Sequence, residues 1–326
     1  MTTNKKELLS KKYMRSVFFI ILGSILWFFF GRELTLSESN DFLYINPVLN
    51  YETANMIMQN KNINLEEDLQ IYLEKQKKKN ETTHISVYFR NLNNGNWFGV
   101  NEKEEFSPAS LMKLPLLMAY YKLSENQPKL LNEKVLYTPT EQDQQITQNI
   151  VPEKVLEPNK KYTIKDLLER MIIYSDNKAS ILLESILDFE FYQKAFTDIG
   201  INFPELKNGE FENNITIVEY ASFFRVLYNA SYLTKSNSEY ILDLLSKSTF
   251  TKGLKKWVPR QILVSHKFWE RMIDWEKQLH DCWIVYYPKH PYLLCVMTRW
   301  WDWESLENII AEISKKIYNE VDSQYK

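Results

Sequence analysis

Two short alternating segments precede a long helical block, and three more strands with a final helix follow it. His84-Ile-Ser-Val-Tyr-Phe-Arg90 alternates with period two and reads as a strand. Asn93-Asn94-Gly95 is a strong hairpin signal, and Asn96–Val100 is the returning strand. Helices are expected over Leu111–Leu123, Thr163–Tyr174, Lys178–Leu187 and Thr216–Tyr228. Thr163 caps one of them, and Thr216 with Glu219 forms a capping box at another. Strands return at Gln261–His266, Cys282–Tyr287 and Tyr292–Thr298. Ser305–Val321 is a C-terminal helix whose apolar face carries Leu306, Ile309, Ile310, Ile313 and Ile317. This order predicts an α+β fold: an antiparallel sheet with a helical subdomain, and no internal repeat.

The N-terminus is built differently. Lys5, Lys6, Lys11, Lys12 and Arg15 stand before an apolar run from Val17 to Phe30. With Tyr13 and Met14 the run approaches the roughly 20 residues that span a bilayer. The basic flank predicts an N-terminus inside and the rest outside. The run ends in Trp27-Phe-Phe-Phe30, which is poor material for a signal-peptidase site, so an uncleaved anchor is expected. The expected organisation is a basic cytoplasmic tail over 1–12 and an anchor over 13–31. A stalk over 32–80 holds a helix around Leu65, Leu69, Ile71, Tyr72 and Leu73, and a catalytic domain covers 81–322. The net charge of −2 gives no reason to expect nucleic acid as a partner. Cys282 and Cys295 flank a hairpin and can face each other, as a disulfide or as two buried thiols.

Three polar clusters suggest chemistry. In Phe106-Ser-Pro-Ala-Ser110-Leu-Met-Lys113, Ser110 and Lys113 share one face at a helix start. A desolvated lysine can take the proton of an alcohol and make it a nucleophile. Tyr174-Ser175-Asp176-Asn177 falls between two helices, where Asp and Asn also serve as caps. Lys267 lies near the end of a late strand, in Ser265-His266-Lys267-Phe268. The four histidines are scattered, which argues against a zinc site, and neither metal nor cofactor is expected.

Taken in this order, the three clusters resemble the Ser-x-x-Lys, Ser-Asp-Asn and Lys-Thr-Gly motifs of penicillin-recognising serine hydrolases, class A β-lactamases above all. The resemblance runs from about His84 to the C-terminal helix. It implies a five-stranded antiparallel sheet flanked by helices plus an all-helical subdomain. It also implies Ser110 as nucleophile, Lys113 as its base and Ser175 as proton donor to the leaving nitrogen. Asn177, Lys267 and Phe268 would contact substrate, and the backbone N–H of Glu270 would join that of Ser110 as oxyanion hole. The expected function is an extracytoplasmic, membrane-anchored serine hydrolase opening β-lactam amides. The alternatives are a D,D-carboxypeptidase or related peptidoglycan hydrolase acting on an acyl-D-Ala peptide, and an idle wall-binding homologue.

The chain departs from the pattern in two places. Class A enzymes deacylate with a glutamate in a loop after Ser-Asp-Asn. Aligning on Pro204-Glu205-Leu206 puts Phe203 in that place, whereas aligning on Glu210 and Asn214 supplies a glutamate but crowds Thr216. Glu205 and Glu210 are both candidates. The third motif reads Lys267-Phe268-Trp269. Average usage predicts about 7% glycine, roughly 23 residues at this length. The chain has 7, none after Gly253, and 7 of its 9 tryptophans lie between Trp257 and Trp303. Trp257, Trp269, Trp283 and Trp300 stand where the family would carry glycine. A UGA codon reassigned to glycine and rendered as tryptophan accounts for this; a tryptophan-rich core or membrane-facing surface is the alternative.

Overall fold

The computed structural model describes residues 42–46, 65–79, 84–144, 152–204, 206–207, 210–211, 215–250, 253–273 and 275–325. The expected anchor over 13–31 lies outside them, and among the described residues no helix is long and apolar enough to cross a membrane. Helix α1 (Leu65–Lys78) begins with Glu66, Glu67 and Asp68 and ends with Lys75, Lys77 and Lys78, charges that complement the helix dipole. Its Leu69 and Leu73 are buried, while Ile71, on the opposite side of the helix, is 62% exposed. Strands β1 (His84–Asn91), β2 (Trp97–Val100), β3 (Val264–Ile273), β4 (Glu276–Val285) and β5 (Tyr292–Trp300) form one sheet in the order β2-β1-β5-β4-β3. Every pairing is antiparallel.

Between β2 and β3 lies the helical block. It comprises α2 (Lys113–Ser124), α3 (Ile164–Ile173), α4 (Asn177–Ile186), α5 (Phe189–Thr197), α6 (Ile217–Tyr228) and α7 (Lys235–Ser246). The final helix is α8 (Trp303–Tyr325). The sequence signals for α5 and α7 went unread: Asp188 and Thr234 cap them through Glu190 N and Asn237 N. The expected caps hold elsewhere. Thr163 accepts from Asp166 N, and Thr216 with Glu219 closes a full capping box. Within the expected stalk, residues 43–46 join the catalytic unit. The Glu239 carboxylate accepts from the backbone N–H groups of Leu43, Tyr44 and Ile45, and Ile45 is 2% exposed.

One face of the sheet packs Ile85, Val87, Phe89, Leu279, Trp283, Val285, Leu294 and Val296 against Leu69 and Leu73 of α1 and the apolar stripe of α8. Helices α6 and α7 lie against the sheet as well, and α2 runs through the helical block with Lys113 to Tyr121 all buried. Cys282 and Cys295 face each other across β4 and β5 and are joined as a disulfide.

The tryptophans divide into two groups. Trp269 and Trp283 are 1% and 0% exposed, and Trp269 packs 4.3 Å from the His280 ring. Trp283 lies in the core with its indole N–H unpartnered. An unpaired buried donor costs about 1–3 kcal/mol, less than a buried indole returns through its area, so the fold holds tryptophan there with an imperfection. On the outside, Ile273 pairs with Glu276, leaving two residues to connect β3 and β4. The second is Trp275, 88% exposed, in the slot where a tight hairpin favours glycine. TGA codons are expected at Trp257, Trp269, Trp283 and Trp300, and at Trp275 as well, with glycine in native peptides read by mass spectrometry. TGG codons at these positions would make the tryptophans genuine and end the recoding idea.

Candidate active site

Ser110 does not open an α-helix, as its motif suggested. It lies in a 3-10 turn, Ala109–Met112, and α2 begins at Lys113. The two residues therefore lie in different helical segments, Ser110 in the turn and Lys113 at the start of α2. Pro108 and Met112 occupy the cap positions of the two segments, so Ser110 serves as neither cap. The turn is held from several sides. Ser107 N donates to Gln278 Oε1 at 3.2 Å, Arg271 donates to Ser107 Oγ, and Tyr192 Oη donates to Met112 O at 2.8 Å. Phe106 pairs with Ile215 just before it.

Ser175 sits between α3 and α4 with φ of 55°, a left-handed backbone that costs a non-glycine residue about 1–2 kcal/mol. Asp176 takes the capping role, accepting from Lys178 N at 2.9 Å and Ala179 N at 3.2 Å. Ser175 and Asn177 are thereby left to face Lys113. Lys113 Nζ donates to Ser175 O at 2.8 Å and to Asn177 Oδ1 at 2.5 Å, and lies 3.2 Å from Ser175 Oγ. From the other side Lys267 Nζ donates to the same Ser175 Oγ at 2.9 Å. One hydroxyl therefore bridges two buried lysines.

Burial lowers Lys113 to a pKa of about 7, against the opposing pull of Asp176, Glu184 and Glu270. A neutral amine has two N–H donors and one lone pair. Its donors fit Ser175 O and Asn177 Oδ1, which leaves the lone pair for a hydroxyl proton. Burial, then the neighbouring Lys113 charge, pushes Lys267 well below the usual lysine range, and Asp281 opposes this. Glu184 carried no recognisable signal. It follows Asn177 by two helical turns on α4, and its Oε1 accepts from Ser180 Oγ at 2.9 Å.

The structure also corrects the expectation for Phe268. Side chains alternate along a strand, so Phe268 turns from Lys267 into the core shared with α8. It is 3% exposed and stacks on Phe250 at 4.1 Å, with its ring 4.9 Å from Lys267 Nζ, so its side chain is closed off from the cleft surface. β3 itself runs on past Lys267 to Ile273, three residues beyond Glu270, and lies at the sheet edge beside the Ser110 turn. Glu205 lies outside the described residues. Glu210 begins a two-residue strand opposite Leu206–Lys207, and its side chain is likewise outside them. Phe203 packs edge-on against Phe189, Tyr192 and Phe196 at 5.0–5.3 Å. Among the described residues no group of three or more His, Cys, Asp or Glu side chains is placed to hold a metal.

Residues 64–321 match the model of the β-lactamase enzyme family. The chain belongs to this family. This β-lactamase-family serine hydrolase also shares its fold with PBP-A at TM-score 0.66 and 21% identity, over 78% of this chain and 96% of that one. A leucine-to-glutamate variant of PBP-A, solved as an acyl-enzyme with penicillin G, aligns with TM-score 0.66 and 20% identity, over 78% and 97% of the two chains. A class A β-lactamase from Mycobacterium abscessus aligns with TM-score 0.65 and 20% identity, over 78% and 98% of the two chains. Among curated proteins no sequence matches significantly.

Lys113→Ala is expected to slow labelling of Ser110 by a fluorescent penicillin by about 10²–10⁴-fold, the usual worth of a positioned base. In the unmutated enzyme the labelling rate should rise with pH through about 7, as Lys113 loses its proton. A rate flat from pH 5 to 9 in stopped-flow fluorescence would remove Lys113 from that role.

Proposed function

We propose that the chain opens β-lactam amides by forming an acyl-enzyme on Ser110. The observation that carries this is Ser175 Oγ lying between Lys113 Nζ and Lys267 Nζ. Neutral Lys113 takes the Ser110 proton as Oγ adds to the lactam carbonyl carbon. The oxyanion forms against the backbone N–H groups of Ser110 and Glu270. As the C–N bond breaks, Ser175 gives its proton to the leaving nitrogen and recovers one from the Lys113 ammonium, which restores the base. Lys267 pairs with the substrate carboxylate, and Asn177 hydrogen-bonds its side-chain amide. Phe268, buried, takes no part.

A specific observation favours a second reading for the next step. Phe203 occupies one of the two places where alignment expects the deacylating glutamate, and it sits in an aromatic cluster. Tyr192 of that cluster donates directly to Met112 O beside the nucleophile. A phenyl ring cannot activate water, so the acyl group persists or passes to an amine, as in a D,D-peptidase acting on acyl-D-Ala peptides. Glu210 remains the candidate that would restore rapid hydrolysis. The basic and apolar N-terminal segment supports a single-pass anchor over 13–31, with the catalytic domain outside the cytoplasm. The disulfide fits an oxidising compartment.

Fluorescent penicillin applied to the full chain tests the proposal. Label on Ser110, absent in Ser110→Ala, is expected to persist for minutes or longer. Phe203→Glu should shorten its lifetime by at least about 10-fold, within the range of a positioned general base. No Ser110-dependent label would leave an idle homologue. Label lost within seconds from the unmutated enzyme would mean that another group, Glu210 first, deacylates it.

A further inference from the structure

Behind Lys267 lies a buried polar cluster that the reaction described above does not use. Asp281 on β4 is 1% exposed, and His266, the residue before Lys267 on β3, is 0% exposed. Asp281 Oδ1 lies 3.2 Å from His266 Nδ1, and Oδ2 accepts from Leu254 N at 3.3 Å. The chain passes so close here that a Cβ on Gly253 would stand 2.7 Å from Asp281 Oδ2 and 2.9 Å from Phe250 Cε1. Only glycine permits that approach. Phe250 in turn stacks on Phe268, the residue after Lys267. The carboxylate thus ties His266 to the turn at Gly253–Leu254, and the Phe250 ring beside that turn holds Phe268.

We propose that Asp281 is a positioning residue for Lys267: it fixes β3 against the Gly253–Leu254 turn and sets a negative charge behind the ammonium that pairs with a substrate carboxylate. Few groups act on this lysine. Lys113 of α2 repels its charge, Asp281 of β4 supports it, and the Ser175 hydroxyl from the α3–α4 junction accepts from it. Desolvation and Lys113 both favour loss of the proton, and Asp281 is the carboxylate that works against them. A buried charge without a counter-charge gives up its proton, and the cleft would then lose its attraction for an anion. Leu254 N and His266 occupy both Asp281 oxygens, so the carboxylate is held in place by its partners.

The inference rests on acylation at Ser110 for its kinetic arm and has one arm that does not. Asp281→Asn keeps the shape and an acceptor for Leu254 N while removing the charge. The alkaline limb of acylation by an anionic penicillin should move down by about one pH unit, a typical effect of one nearby charge. Acylation by the methyl ester of the same penicillin should show no such shift. Independently of any acylation, the Lys267 13Cε resonance, assigned by its loss in Lys267→Met, should titrate at lower pH in Asp281→Asn. Should Asp281→Asn fail to fold, Gly253→Ala, which forces the turn off the carboxylate, should slow acylation by the anion at least 5-fold more than by the ester. Equal losses for anion and ester, or an unmoved Lys267 titration, would overturn the proposal. A moved titration without any Ser110 label would keep Asp281 in its role and reject the acylation reading instead.

Discussion

Two buried lysines sharing one serine hydroxyl are the constraint around which this molecule is arranged. Removing an ammonium from water costs several kcal/mol even after relaxation, and two side by side add repulsion. The fold answers locally. Lys113 finds Ser175 O and Asn177 Oδ1 as acceptors, with Asp176, Glu184 and Glu270 acting electrostatically from farther off. Lys267 has Ser175 Oγ and the electrostatic support of Asp281. The remaining cost is expressed as a lowered proton affinity, which is the property a base near neutral pH requires. What would be a flaw in a structural core is here the source of reactivity.

This arrangement needs three remote segments to meet, and each carries its own strain or support. Ser175 holds a left-handed backbone so that its hydroxyl and carbonyl both turn toward Lys113. Asp176 meets the capping demand of α4, which frees Ser175 and Asn177 from it. Lys267 comes from the edge strand of the sheet, and the disulfide between β4 and β5 stiffens the sheet one strand away. The acyl half of the site is thus densely determined. Beside it Phe189, Tyr192, Phe196 and Phe203 form an aromatic cluster that reaches the Ser110 turn through the Tyr192 hydroxyl.

Local rules made much of the fold legible. Thr163, Thr216 and Glu219 announce helix starts because a side-chain acceptor and a free backbone N–H are neighbours in sequence. The alternation in His84–Arg90 marks β1 because one strand face packs against the apolar core. The same rules missed α5 and α7, whose caps Asp188 and Thr234 sit among mixed polar residues. Phe268 was misplaced because a motif lists residues in a row, while a strand sends them to opposite faces. Glu184 and Asp281 had no signal at all: their importance comes from what lies beside them in space, 71 and 14 residues from Lys113 and Lys267 in chain number.

The sequence by itself determined the order of most elements, the family, and which residues are the candidates for nucleophile and base, since those rest on short-range spacing and side-chain chemistry. Only the tertiary structure decided that Ser110 lies in a 3-10 turn, that Ser175 is held between two lysines, and that Phe268 belongs to the core. It also decided how basic Lys113 is. The physical reason is common to all four. Burial, strand facing and charge–charge coupling depend on distance through the folded molecule, and no spacing along the chain encodes that distance.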